Sequence, residues 1–151
     1  MTSQKRENKM EQSQLEGQAR QMMKEGLNCA ETVAKCVLDI CAPDHGCTAP
    51  RTATAFGGGM ARSLKETCGA VSGGLLALGY LWGRDSAKEK WDRVEKPAVE
   101  FRRRFIDEFG TCNCAGLLHE TNGRPDLEKC TDLVVKTSVM LLEIINECKR
   151  P

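Results

Sequence analysis

Nothing in this chain of 151 residues alternates apolar and polar with the two-residue period of a strand. Apolar residues recur three and four apart instead, and the runs are punctuated by helix start and stop signals. Leu15, Ala19, Met22 and Met23 fall near helical spacing and stop at Gly26. Asn28-Cys29-Ala30-Glu31 reads as a capping box opening a helix with Ala30, Val33, Ala34, Val37, Leu38 and Cys41 on its apolar side, ending before Pro43. A short helix is expected over 51–56, broken by Gly57-Gly58-Gly59. Thr67 is a candidate cap for the helix that follows. Ser86-Ala87-Lys88-Glu89 reads as a second capping box, for a helix running to about Phe109 with Gly110 beyond it and a kink or break at Pro97. Phe101, Phe105 and Phe109, four apart, make an aromatic core stripe, extended by Val94 and Ala98. After turn-rich residues 111–125, a last helix is expected from about Thr131 to Glu147. The fold class is all-α: one compact helical bundle of about five main helices with short connecting turns, over residues 11–151, behind a disordered polar tail over 1–10.

A chain of this length buries roughly 68–70% of its unfolded surface and does not need disulfides to fold. A formal net charge of +1 gives no one-signed field to attract nucleic acid or a membrane surface. The longest apolar stretch, Ala70–Trp82, has 13 residues with four Ser or Gly interruptions, whereas a membrane span needs about 20. Met1–Gln14 is polar, with no apolar signal region. A cytoplasmic, reducing location is therefore expected, where structural disulfides are rare.

In that setting nine cysteines are anomalous. Cys29, Cys68, Cys114 and Cys130 each fall at an expected helix start. Unpaired amides and the positive end of the helix dipole favour thiolate there. Thiolate is the form that binds metal and attacks disulfides. Cys36, Cys41 and Cys148 read as inert helix-face thiols. Cys47 shares a loop with His45 and is a place for adventitious metal. His45 and His119 have no partner at ligand spacing and are expected to be solvent-exposed or locally hydrogen-bonded. Gly69, Gly73 and Ala77 give one helix a small-residue face that admits a neighbouring backbone. Gly57-Gly58-Gly59 reads equally as a tight turn and as a backbone nest near an anion. It is no nucleotide loop, since no Lys-Ser/Thr follows. Arg102-Arg103-Arg104 reads as a solvated face.

Several of these segments together resemble the C-GCAxxG-C-C family, named for its cysteine pattern and taken to be redox-active. They are Gly26-Leu27-Asn28-Cys29-Ala30-Glu31, Phe56-Gly57-Gly58-Gly59-Met60, Cys68-Gly69-Ala70-Val71-Ser72-Gly73-Gly74, Asn113-Cys114, and Cys130. The resemblance implies that Cys29, Cys68, Cys114 and Cys130 are the family's four cysteines, in a helical, redox-active protein. A related domain in split-Soret cytochromes lies beside an iron–sulfur-type centre, which points toward iron. Two departures stand out. Cys112 forms a Cys112-Asn113-Cys114 pair that leaves the third ligand open between them, and Met60-Ala61-Arg62 lacks the glycine expected near Arg62.

Three functions follow as expectations. In the first, Cys29, Cys68, Cys114 and Cys130, with Cys112 as a further candidate, ligate an iron–sulfur cluster that Gly69 and Gly73 let approach, and the protein passes electrons to a redox partner protein. In the second, a metal-free thiol–disulfide oxidoreductase works through Cys29–Cys68 or Cys112–Cys114. In the third, the four thiolates hold structural zinc. The cysteine spacing matches neither zinc-finger nor ferredoxin runs, and a helical homodimer is compatible with the pattern.

Overall fold

The computed structural model describes residues 3–117, 120–121 and 124–149. They form α1 (Ser3–Glu25), α2 (Cys29–Cys41), α3 (Thr48–Ala53), a 3-10 turn (Thr54–Phe56), α4 (Gly69–Trp82), α5 (Asp92–Phe109), α6 (Cys114–Leu117) and α7 (Leu127–Lys149). Two two-residue strands, β1 (Glu120–Thr121) and β2 (Arg124–Pro125), pair antiparallel. The protein is all-α, with five long helices and two short ones among the described residues. None of the described helices is long and apolar enough to cross a membrane.

Helix ends follow local chemistry in most places. Gly26 adopts φ +101° after α1, and the Leu27 amide reaches back to the Met22 carbonyl at 3.0 Å, a glycine-terminated stop. The capping box at α2 is complete: Asn28 Oδ1 accepts from the amides of Ala30 and Glu31, both at 3.0 Å, and the Asn28 amide donates to Glu31 Oε2 at 2.8 Å. Gly110 closes α5 with φ +83°.

Five boundaries differ from expectation. The short helix expected over 51–56 starts three residues earlier, at Thr48, and its last turn is 3-10. Residues 3–10, expected as a tail, are the first turns of α1. The Ser86–Glu89 box opens no helix; it is a turn, and α5 begins at Asp92. That later start makes Pro97 the sixth residue of α5, and the helix runs on through it without a break, forgoing one intrahelical bond. Thr67 is not the cap of α4; Cys68 occupies that position. Finally, α7 starts four residues early, because Asp126 Oδ1 caps it by accepting from the amides of Glu128 and Lys129, both at 3.1 Å.

The core lies between α1, α2, α4, α5 and α7, with Leu15, Val37, Leu38, Leu78, Phe101, Phe105, Leu141 and Ile145 fully buried. Phe101 and Phe105 meet edge-on, with Phe109 tilted against Phe105 at the half-buried end of the stripe. The α2–α4 contact is the tightest. A side chain on Gly73 would strike the Ala30 backbone, and one on Gly74 the Phe101 ring. Backbones this close bring the starts of α2 and α4 together.

Candidate functional site

The start of α2 is anchored to the turn after α3. Asn28 Nδ2 donates to the Thr54 carbonyl at 3.0 Å, and Thr54 Oγ1 donates to Glu31 Oε1 at 2.6 Å. The chain then makes an unusual turn: Gly58, Gly59, Met60, Ala61 and Arg62 all have φ between +48° and +69°, followed by Leu64 at +59°. Left-handed backbone costs roughly 1–2 kcal/mol for each non-glycine residue, so this turn must be held. The amides of Ala61, Arg62 and Leu64 donate to the carbonyls of Ala55, Gly57 and Gly58 at 2.8–3.1 Å, and Ser63 Oγ donates to the Gly59 carbonyl. Ala61 and Arg62, where glycine was expected, sit in the region that glycine favours. The glycines themselves serve close approach: a side chain on Gly57 would strike Asn28, and one on Gly59 would come within 2.5 Å of Cys114 Cβ.

A second local link joins the remaining segments. Thr67 and Asn113 form an isolated antiparallel bridge. The Cys68 amide donates to the Cys112 carbonyl at 2.8 Å, and the Cys114 amide to the Glu66 carbonyl at 2.7 Å.

These connections bring Cys29, Cys68, Cys114 and Cys130 to the lining of one cavity of about 800 Å³, together with Asn28, Gly57, Gly58, Ala61, Arg62, Leu64 and Lys129. Cys112 is not in that lining; its carbonyl serves the Cys68 amide. Gly69, expected beside a cofactor, packs against Cys29 Sγ and is not among the cavity-lining residues. Gly73 is one turn further along α4, so it packs the helices rather than touching the cavity. Among the described residues no group of three or more His, Cys, Asp or Glu side chains is arranged to hold a metal ion.

The four thiols differ electrostatically. Cys29 is pulled down to about 6, chiefly because the Cys68 thiol hydrogen-bonds to it; burial opposes this, and the amides of Gly58, Ala30 and Cys29 itself add to the lowering. Cys68 is pushed up by that same bond, by burial and by the Cys29 charge. Burial, then Cys29, raises Cys114. Burial, then Cys29, Cys114 and Asp126, raises Cys130 to about 11. The expectation that all four helix-start cysteines favour thiolate is therefore corrected: only Cys29 does. Burial and the neighbouring sulfurs outweigh a helix terminus at the other three. Cys130 is moreover inside the first turn of α7, its amide already bonded to the Asp126 carbonyl.

The other cysteines lie apart. Cys36 is buried with its thiol 3.5 Å from Met22 Sδ, and burial raises it to about 12. Cys41 is half-buried, and Cys47 and Cys148 are exposed. His45 is buried, not solvent-exposed; its Nε2 is 2.7 Å from Asp39 Oδ1, the local hydrogen bond that was the other expectation. His119 lies outside the described residues. Arg103 and Arg104 are committed to Glu100, Asp107 and Glu147. Reading the sequence missed Arg62 and Lys129 as site residues; their signal was proximity in sequence to the glycine turn and to Cys130.

No curated protein and no solved structure matches the chain. A family model does match, over residues 27–144, a span that includes all four cavity cysteines and both glycine segments. The chain therefore belongs to the C_GCAxxG_C_C family, described as "Putative redox-active protein".

Proposed function

We propose that Cys29, Cys68, Cys114 and Cys130 hold an iron–sulfur cluster, and that the protein exchanges electrons with a redox partner protein in a reducing compartment. The carrying observation is that four cysteines remote in sequence line one cavity whose wall includes a glycine turn. The donor set suits such a group: four thiols, with side chains absent where they would collide with Cys29 and Cys114. Zinc would accept the same four thiols but is redox-silent, and the family's redox description favours the iron–sulfur reading. When bound, the cluster would supply one-electron chemistry. The chain's own groups would do the rest. The Gly58 amide near the Cys29 sulfur would reduce its basicity, a lever on potential. Arg62 and Lys129 offset negative charge, and the apolar lining limits water.

Anaerobic purification with iron and sulfide analysis tests this reading. Cys→Ser at each of the four positions should strip most of the iron, while Cys47→Ser and Cys148→Ser should leave it. Substoichiometric iron after reconstitution, with all nine thiols titrating freely, sinks the proposal.

The close packing of the Cys68–Gly69 segment on the Cys29 sulfur, with Cys29 held low chiefly by Cys68, specifically favours a second, metal-free reading. The Cys29 thiolate would attack a substrate disulfide, forming a mixed disulfide and releasing one thiol. With the Cys29 charge gone, the influence that holds Cys68 up is weakened, and Cys68 can lose its proton and attack Cys29 Sγ. The products would be the second substrate thiol and a Cys29–Cys68 disulfide, the pair having given two electrons. Mass spectrometry of alkylated protein should then show reversible loss of two protons at this pair, without metal.

A further inference from the structure

We infer that the same cavity binds a small organic anion, a molecule with an apolar body and one carboxylate or sulfonate, next to the cysteines; this rests on the cavity being the redox site. The volume of about 800 Å³ is within the range of small-molecule sites, roughly 300–1,000 Å³. Much of the wall carries neither thiol nor charge: Leu27, Leu117 and Leu133 are hydrocarbon surfaces and Met23 a thioether. Apart from the cysteines, the charge is one-sided. Although the chain has 21 Asp and Glu residues, no carboxylate is among the described lining residues, and the two ionised side chains there besides cysteine are Arg62 and Lys129. Lys129 has a long 3.7 Å contact to Asp126. Arg62 is in no ion pair among the described residues and stands on the left-handed turn whose Gly58 amide serves Cys29. An apolar wall with two cations selects for an amphipathic anion and against the matching cation.

Calorimetry on the full chain, iron-loaded and metal-free, with octanoate, octan-1-ol and octylammonium at fixed ionic strength tests this. Octanoate should bind one per chain, about tenfold or more tighter than octylammonium. Arg62→Gln combined with Lys129→Gln, both at exposed positions, should remove that preference while octan-1-ol binding stays. Ala55→Trp, which fills the cavity from its wall, should weaken all three. Equal binding of octanoate and octylammonium, no octanoate binding, or an intact preference in the double variant would overturn the inference. Iron counted in the same samples separates the two claims. Octanoate binding without iron keeps this inference and removes the cluster; iron without octanoate binding does the reverse.

Discussion

Cys29 and Gly69 touch so closely that a Cβ on Gly69 would lie under 3.0 Å from the Cys29 sulfur. The first residue of α4 is thus the backing of the first residue of α2. Gly69→Ala should displace the sulfur or part the helices, with a loss of about 1–3 kcal/mol, typical of overpacking. Urea unfolding and iron content measured together check it; an unchanged midpoint with full iron would contradict the contact.

The small-residue face of α4 gives a paired comparison. Gly73→Ala should destabilise by about 1–3 kcal/mol, because the obstacle is the Ala30 backbone, which cannot rotate away. Gly79 faces open space on the same helix. Gly79→Ala should stabilise by about 0.5–1 kcal/mol through helix propensity. Thermal unfolding of the two variants should move in opposite directions.

Ala61 has φ +48° in the left-handed turn. Ala61→Gly relieves about 1–2 kcal/mol of backbone cost, partly offset by glycine's greater freedom in the unfolded chain. A net gain of about 0.5–1 kcal/mol is expected, read as a higher urea midpoint.

In the reduced, metal-free chain, alkylation at Cys29 should rise with pH through about 6, well before Cys68, Cys114 and Cys130. The stability of the pair has a definite sign. Between about 6 and the ordinary thiol value of 9.0, the unfolded Cys29 binds a proton that the folded one has lost, so stability rises with pH. Above 9.0 the order reverses for Cys68, whose raised value keeps its proton in the fold while the unfolded thiol ionises, so stability falls. Urea midpoints from pH 5 to 10 should therefore peak near 9. Cys68→Ala should move the Cys29 alkylation profile upward; a profile that stays put would show that Cys68 does not hold the thiolate.

The sequence by itself determined what depends on near neighbours: helical period, the Asn28 box, and the glycine stops at Gly26 and Gly110. These are readable because periodicity and capping involve residues within about four positions of each other. The tertiary structure decided what depends on remote ones. Ser86-Ala87-Lys88-Glu89 carries a capping pattern yet makes a turn, since a box is no helix without a buried face to follow. The left-handed run at 58–62 is held by bonds back to Ala55 and Gly57 that no residue type announces. The Thr67–Asn113 bridge turned Cys114 into the cavity and left Cys112 out. Which sulfur favours thiolate was likewise settled in space, because a pKa reports burial and the nearest charge, and Cys68 reaches Cys29 only after α2 and α4 close on each other.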